Sequence, residues 1–593
     1  MRKHLLVPVL LLVALAAGAF VLFRGGTGGV GADDPLRYVP ADTPFVFANV
    51  ESIPEPVARR WLQQVDPQLA QWRRQIGVLL ARAEASPARQ PDDVEADGGE
   101  SEPDAEFLPP RAAAWLRALD AELAQATDAA ALQKRFGFDS RAKMAVYGIG
   151  LAPVARVTLA DPAAFLAAIA RIEHSAGETF TALAVDGVDA GWRIDLPDSP
   201  IQGVVAVIGD HLVLTAAPLD DAAATRVMLG LDRPARSLAD SGDLQALNRA
   251  EGFTAFGSGY LDSGRLLAQF RAPATALERA FLQPLDIEKP TLPAECEADT
   301  ALIAQSFPRL VGGYTRLDDR HMDGVARMLT SAPIAEDLMG LRAPLPGLAA
   351  SDQALVTFGV GFKLSALAPL GRKLAAAVAA EPWTCPALSG LNDAVAALRE
   401  GLANPALAMA GPMANSVLLA LDEFEVDIEQ AKFEKLSGRL VLGADNPAVL
   451  IGALAMVAPQ VAALNLKPGE PPQRLQLDLL KTVIDAPLHA AMGEHALALA
   501  IGDGAEASLP AYLKTDAAEQ PLLHVAYQGR FMGVIADAMR EAAKAMPAAE
   551  AEDIRAQAQL MEDAYVRNIQ WLGMSILLTE RGIEFRQRLE FTR

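Results

Sequence analysis

The sequence predicts an α+β fold built as two tandem repeats of a sheet-and-helix unit with antiparallel hairpins, preceded by one N-terminal transmembrane helix. Three observations predict it. A charge-free apolar run lies near the N-terminus, one ordered set of landmarks occurs twice, and short apolar runs flank polar glycine turns. At 593 residues the chain exceeds one ordinary hydrophobic core, and 51% hydrophobic against 21% charged residues is a globular balance.

The apolar run extends from Leu5 to Phe23, and 19 residues at 1.5 Å each reach roughly 28 Å, close to the hydrocarbon thickness of a bilayer. Arg2 and Lys3 precede it, whereas Arg24 is followed by a glycine-rich stretch and then Asp33 and Asp34. The positive-inside rule therefore puts residues 1–4 in the cytoplasm, 5–23 in the membrane and the bulk of the chain outside. Residues 24–35 read as a flexible glycine-rich linker. Ala17-Gly18-Ala19 also fits the small-x-small pattern of signal cleavage, which makes a cleaved signal and a soluble periplasmic product the alternative.

The landmarks set the repeats at 36–340 and 341–593. Asp42 leads into Phe45–Val50 as Asp352 leads into Leu355–Phe358, each a strand pattern followed by helical sequence. Arg156–Leu159 runs into Asp161-Pro162, and Arg439–Leu442 into Asn446-Pro447. In each, a side-chain cap and a proline at the first position open a helix, with Phe165, Leu166 and Ile169, or Val449, Leu450 and Ala453, on one face. Hairpin turns follow at Gly209-Asp210-His211 and Gly493-Glu494-His495. Helices open again near Gly264-Arg265 and Gly529-Arg530, and closing hairpins fall at Leu317–Arg320 and Leu578–Arg581, the second running out through alternating Phe585, Arg586, Gln587, Arg588 and Leu589.

An acidic insertion, 86–107, interrupts the first repeat. Pro91 to Glu106 holds eight acidic residues and no basic one, which marks a solvated loop, and the ligand spacing of a calcium loop is missing. The only two cysteines, Cys296 and Cys385, fall in an oxidising compartment under this topology, and a disulfide between them is expected to staple one repeat to the other. Closing so long a loop stabilises by roughly 4 to 5 kcal/mol in the chain-entropy model. Two buried free thiols are the alternative.

A net charge of −22 repels phosphate backbones and anionic lipid surfaces alike, so nucleic acid is excluded as a partner and membrane attachment rests on the apolar helix. Motifs for zinc proteases, redox dithiols, phosphate loops and serine nucleophile elbows are missing. Gly257-Ser258-Gly259 imitates an elbow, but Phe256 stands where the outer glycine belongs, and a strand terminus or bulge explains the glycines. His211 and His495 occupy equivalent turns beside acidic residues; one imidazole and one carboxylate fall short of a zinc site, so solvated turns are expected. His174, His321, His489 and His524 stand singly, and Asp318-Asp319 and Asp220-Asp221 read as exposed turns. No catalytic, metal or cofactor residue is assigned.

The anchor, the motif Val39-Pro40-Ala41-Asp42-Thr43-Pro44, and the segment from Phe136-Gly137-Phe138 through Val146-Tyr147-Gly148-Ile149-Gly150 together resemble a family of uncharacterised bacterial membrane-anchored envelope proteins. The resemblance implies a periplasmic setting in a Gram-negative cell and transfers no catalytic residue. The function expected is a non-enzymatic, single-pass protein of the inner membrane that binds or scaffolds an envelope partner. A periplasmic carrier or chaperone for lipid or another apolar ligand is the second reading, and a hydrolase with an unrecognised site the third.

Overall fold

The computed structural model describes residues 34–85, 110–140, 142–195, 201–218, 221–271, 278, 292–402, 414–427, 432–457, 466–475, 486–515 and 520–592. The expected anchor at 5–23, the linker before Asp34 and the acidic stretch Pro91–Glu106 lie outside the described residues. The chain divides into two compact units, one within Met1–Gly259 and Ala272–Thr291, the other within Tyr260–Arg271 and Leu292–Arg593.

In the first unit the strands are β1 (Phe45–Ala48), β2 (Met144–Ile149), β3 (Ala152–Thr158), β4 (Thr181–Ala182), β5 (Ala190–Asp195), β6 (Ile201–Ile208), β7 (His211–Pro218) and β8 (Ser258–Asp262), the last of which runs past the unit's end at Gly259. Antiparallel pairing runs β1-β2-β3-β7-β6-β5-β4, and β1 also pairs with β8. Gly209 and Asp210 form the two-residue turn that sets Ile208 opposite His211, with Gly209 at φ +58° as such turns require. The helix Pro162–Ala176 starts as its sequence dictates, the Asp161 carboxylate accepting from the Ala164 amide at 3.0 Å with Pro162 in the first turn. It lays Phe165, Leu166 and Ile169 on Val205, Val207, Leu212 and Leu214.

Arg156 of β3 is fully buried in this unit. Its guanidinium lies 3.7 Å from the ring centre of Tyr38, and Nη2 donates to the Leu229 carbonyl. Burial pulls the Arg156 pKa down and pushes the phenol of buried Tyr147 up. A side chain at Gly230 (φ +71°) would meet both Arg156 and Tyr38, so that helix end must be glycine.

The second unit contains β9 (Arg309–Leu317), β10 (His321–Leu329), β11 (Val356–Gly361), β12 (Ser416–Asp427), β13 (Lys432–Gly443), β14 (Gln473–Leu475), β15 (Leu488–Met492), β16 (Ala496–Ile501), β17 (Pro521–Gln528), β18 (Ile569–Thr579) and β19 (Gly582–Phe591). Their order is β9-β10-β19-β18-β17-β11-β12-β13-β16-β15-β14, antiparallel throughout. On one face Leu418, Ala420, Val441, Ala498 and Ala500 form a core with Leu345, Leu348, Leu509 and Tyr512. On the opposite face Leu450 and Ile451, from the helix Pro447–Val457, cover Leu442, Leu497 and Leu499.

The expectation of an α+β fold built as two tandem sheet-and-helix repeats is corrected. The described residues form nineteen strands of antiparallel sheet, and no described helix is long and apolar enough to cross a membrane. The hairpin β9–β10, read as the close of a first repeat, belongs to the second unit, where β10 pairs along its whole length with β19. Local alternation marks a hairpin but carries no information on which distant strand will cover its outer edge.

Gly259 shows how closely the first unit's strands approach, since a Cβ there would lie 2.0 Å from the Val46 carbonyl oxygen. Gly259→Ala is expected to destabilise this unit by about 1–3 kcal/mol through overpacking. An unchanged thermal midpoint in that variant would contradict the contact.

Candidate functional site

Strand alternation gives the second unit's sheet two chemically different faces from β9 to β12, because directly paired residues share a face. One row reads Leu419, Phe358, Val525, Met574, Gln587, Gly324 and Tyr314 across β12, β11, β17, β18, β19, β10 and β9. The next reads Val417, Val360, Leu523, Ile576, Phe585, Ala326 and Gly312. Only Gln587 and the phenol of Tyr314 are polar. These rows are open to solvent, with Phe358 45%, Met574 46%, Phe585 44%, Leu419 38% and Val417 37% exposed. Seven strands at about 4.8 Å spacing make the face roughly 29 Å wide, and apolar surfaces of that extent mark interaction sites in soluble proteins.

The reverse face at β17, β18, β19 and β10 carries a polar cluster among apolar residues such as Val325 and Leu577. His524, Ser575 and Arg586 follow one another in register, with His524 Nδ1 2.9 Å from Ser575 Oγ. One position on, Glu584 pairs with Arg327 and is only 5% exposed. Its carboxylate accepts from Arg327 Nε at 2.6 Å and from Arg586 Nη2 at 2.6 Å. Burial would raise the Glu584 pKa, but the two guanidiniums outweigh it and hold the acid below the ordinary carboxylate range. Asp323 has the opposite balance, its pKa raised by burial against the pull of Arg316 and Arg588. Thr315, Asp323, Arg327, Glu584, Arg586 and Arg588 line a cavity of about 280 Å³ with Val325 among its walls. Thr315 sits where the β9–β10 register shifts, a bulge that re-aims side chains.

No protein-family model, curated protein or solved structure matches this chain. The site therefore rests on its own residues.

Cys296 and Cys385 are brought together with sulfurs 2.08 Å apart, both nearly inaccessible. Both lie in the second unit, so the bond is internal to it and does not tie one repeat to another. It joins the helix Cys296–Ser306 to the loop before Gly390–Leu402, where the Asp299 carboxylate accepts from the amides of Thr384 and Cys385 at 2.8 and 2.7 Å.

The histidines of the two hairpin turns differ. His495 is exposed, but His211 is 1% exposed and meets the Tyr38 ring edge-on, so its expected solvated turn is corrected by the burial of β7. Ser258 is fully buried, which removes it as an accessible nucleophile. Asp221 caps the helix Ala222–Leu229, and Asp220 lies outside the described residues. Among the described residues no group of three His, Cys, Asp or Glu is placed to hold a metal ion. Sequence reasoning found the alternation of Phe585 to Leu589 but missed the pairing of Arg327 with Glu584, because that register joins strands far apart in the chain.

Asp318 in the β9–β10 turn does more than face solvent. Burial pushes its pKa up, but the Arg320 and His321 amides, the His321 ring and Arg316 outweigh that and hold it at about 2. A carboxylate depressed by folding contributes stability above its unfolded pKa, near 4, that is lost as pH falls through the folded value. Stability is therefore expected to decline between about pH 4 and pH 2, with a shallower decline in Asp318→Asn. Equal slopes for the two proteins in acid denaturation would contradict this.

Proposed function

We propose that this chain is a non-enzymatic envelope protein, anchored by its N-terminal apolar segment, that binds an amphipathic helix of a partner protein on the open apolar face of β9 to β12. The observation that carries the reading is the pair of contiguous apolar rows with Phe358, Met574 and Phe585 almost half exposed. Leaving such rows in water is unfavourable by about 25 cal/mol per Å² of apolar surface, so a cover is favoured.

A helix is the occupant favoured because the chain already covers this face that way. Leu450 and Ile451 of the helix Pro447–Val457 pack on the same side of β13 and β16. A second helix laid alongside continues that layer. With a chain charge of −22, a helix with a basic polar face associates fastest. The anchored, periplasmic placement is supported by the uncharged run Leu5–Phe23 and the asymmetry of its flanking charges.

The test is fluorescence anisotropy of the full-length protein with an 18-residue Leu/Lys amphipathic helix, a scrambled peptide of equal composition, and neutral phosphatidylcholine vesicles. The ordered helix is expected to bind, with affinity falling at least about tenfold, roughly 1.4 kcal/mol, in the triple variant F358S/M574S/F585S. Equal binding of the scrambled peptide, or vesicle binding that falls in the triple variant as helix binding does not, would reject the helix and in the latter case favour the lipid-carrier reading.

A further inference from the structure

The bond between Cys296 and Cys385 joins the two stretches of chain that flank the central strands of the apolar face. We propose that it is a clasp on that face, which is assembled for docking only once the two thiols are oxidised. The coupling to docking rests on the helix reading above, whereas the clasp itself follows from sheet topology.

Strands β17, β18 and β19 supply the middle of both apolar rows through Val525, Leu523, Met574, Ile576 and Phe585. They stand between β11, which pairs with β17, and β10, which pairs with β19. Both flanking strands lie between the cysteines, which are 89 positions apart. The helix Cys296–Ser306 runs into β9, the hairpin partner of β10. At the other flank β11 runs into the helix Leu364–Ala380, beyond which the chain reaches Cys385. Joining the sulfurs therefore ties both flanks of the three strands into one covalent loop.

The two flanks are unequal. The β10–β19 ladder extends from His321 to Leu329, nine residues, whereas β11 meets β17 over five, Val356 to Val360. Fewer paired residues make the second the weaker seam, and it divides Phe358 from Val525 in one apolar row and Val360 from Leu523 in the next. Little else holds the chain beyond β11 in place. Among the described residues of the helices Leu364–Ala380 and Gly390–Leu402 only Gly371 is buried. Lys373 pairs with Asp337 through an exposed ammonium, and such pairs contribute little. The disulfide, seated by the Asp299 carboxylate on the Thr384 and Cys385 amides, is the firm tether from these helices to the segment that enters β9.

Closing the clasp removes two electrons and two protons from the thiols, and a disulfide oxidant takes them up and leaves as a dithiol. Cys296 and Cys385 are 1% and 0% exposed, so the formed bond is shielded from reductants while the seam is shut. It is set once, in an oxidising compartment, and persists.

Hydrogen exchange on the full-length protein tests the clasp without any ligand. In C296S/C385S the amides of β11 and β17 are expected to exchange at least about tenfold faster than in the oxidised wild type, with those of β12 and β13 unchanged. Affinity for the Leu/Lys helix is expected to fall by a similar factor. Unaltered protein gives a second measurement. Reduction by dithiothreitol requires the seam to open, so a saturating concentration of the Leu/Lys helix is expected to slow it. Equal exchange at the seam in a folded C296S/C385S, or a reduction rate indifferent to the bound helix, would overturn the clasp. Failure of the oxidised wild type to bind the helix would reject the docking reading instead, and the exchange comparison alone would then decide the clasp.

Discussion

The ladder between β10 and β19 is the constraint on which the second unit depends. It pairs His321 with Glu590 at one end and Leu329 with Gly582 at the other, and brings together Arg327 and Glu584, 257 positions apart. Once that register is set, alternation decides everything on both sides of the strand. Glu584, Arg586 and Arg588 turn to one face, and Phe585 and Gln587 to the other. A slip of one residue would bury Phe585 among arginines and expose Glu584, so the charge network acts as a register lock as well as a cavity wall.

That arrangement reverses the usual economy of a half-buried sheet. Near β19 the better-buried face holds ions and the freer face holds Phe358, Met574 and Phe585. An ion cluster of this kind contributes little net stability against an apolar equivalent, but losing one partner leaves a desolvated charge at a cost of about 3–5 kcal/mol. The outer rows meanwhile retain unfavourable contact with water until something covers them. Together these features describe a surface held rigid from behind and open in front, which is what a docking face needs.

Local chemistry was legible in the sequence where neighbours along the chain determine it. Asp161 and Pro162 open their helix, Asn446 accepts from the Ala448 amide just before Pro447, and Gly209-Asp210 turns its hairpin, as the residues demand. The signal was lost where partners are distant. Nothing around Leu317–Arg320 tells that its hairpin will be edged by the last strand of the chain, and nothing beside His211 tells that Tyr38 will lie against its ring. The paired arginines of the cavity were half visible, since the alternation from Phe585 to Leu589 shows two faces but not which faces water. That depends on the bulk packed behind β12 and β13 by Leu345, Leu348 and Tyr512, residues outside every local pattern.

The most direct measurement is thiol labelling of single cysteines placed along β18 and β19 in the full-length protein, read by mass spectrometry. Met574→Cys and Phe585→Cys are expected to react rapidly and Leu577→Cys slowly, following exposures of 46%, 44% and 9%. Rapid labelling at 577 with protection at 574 and 585 would show the sheet facing the other way, and the docking surface with it would be gone.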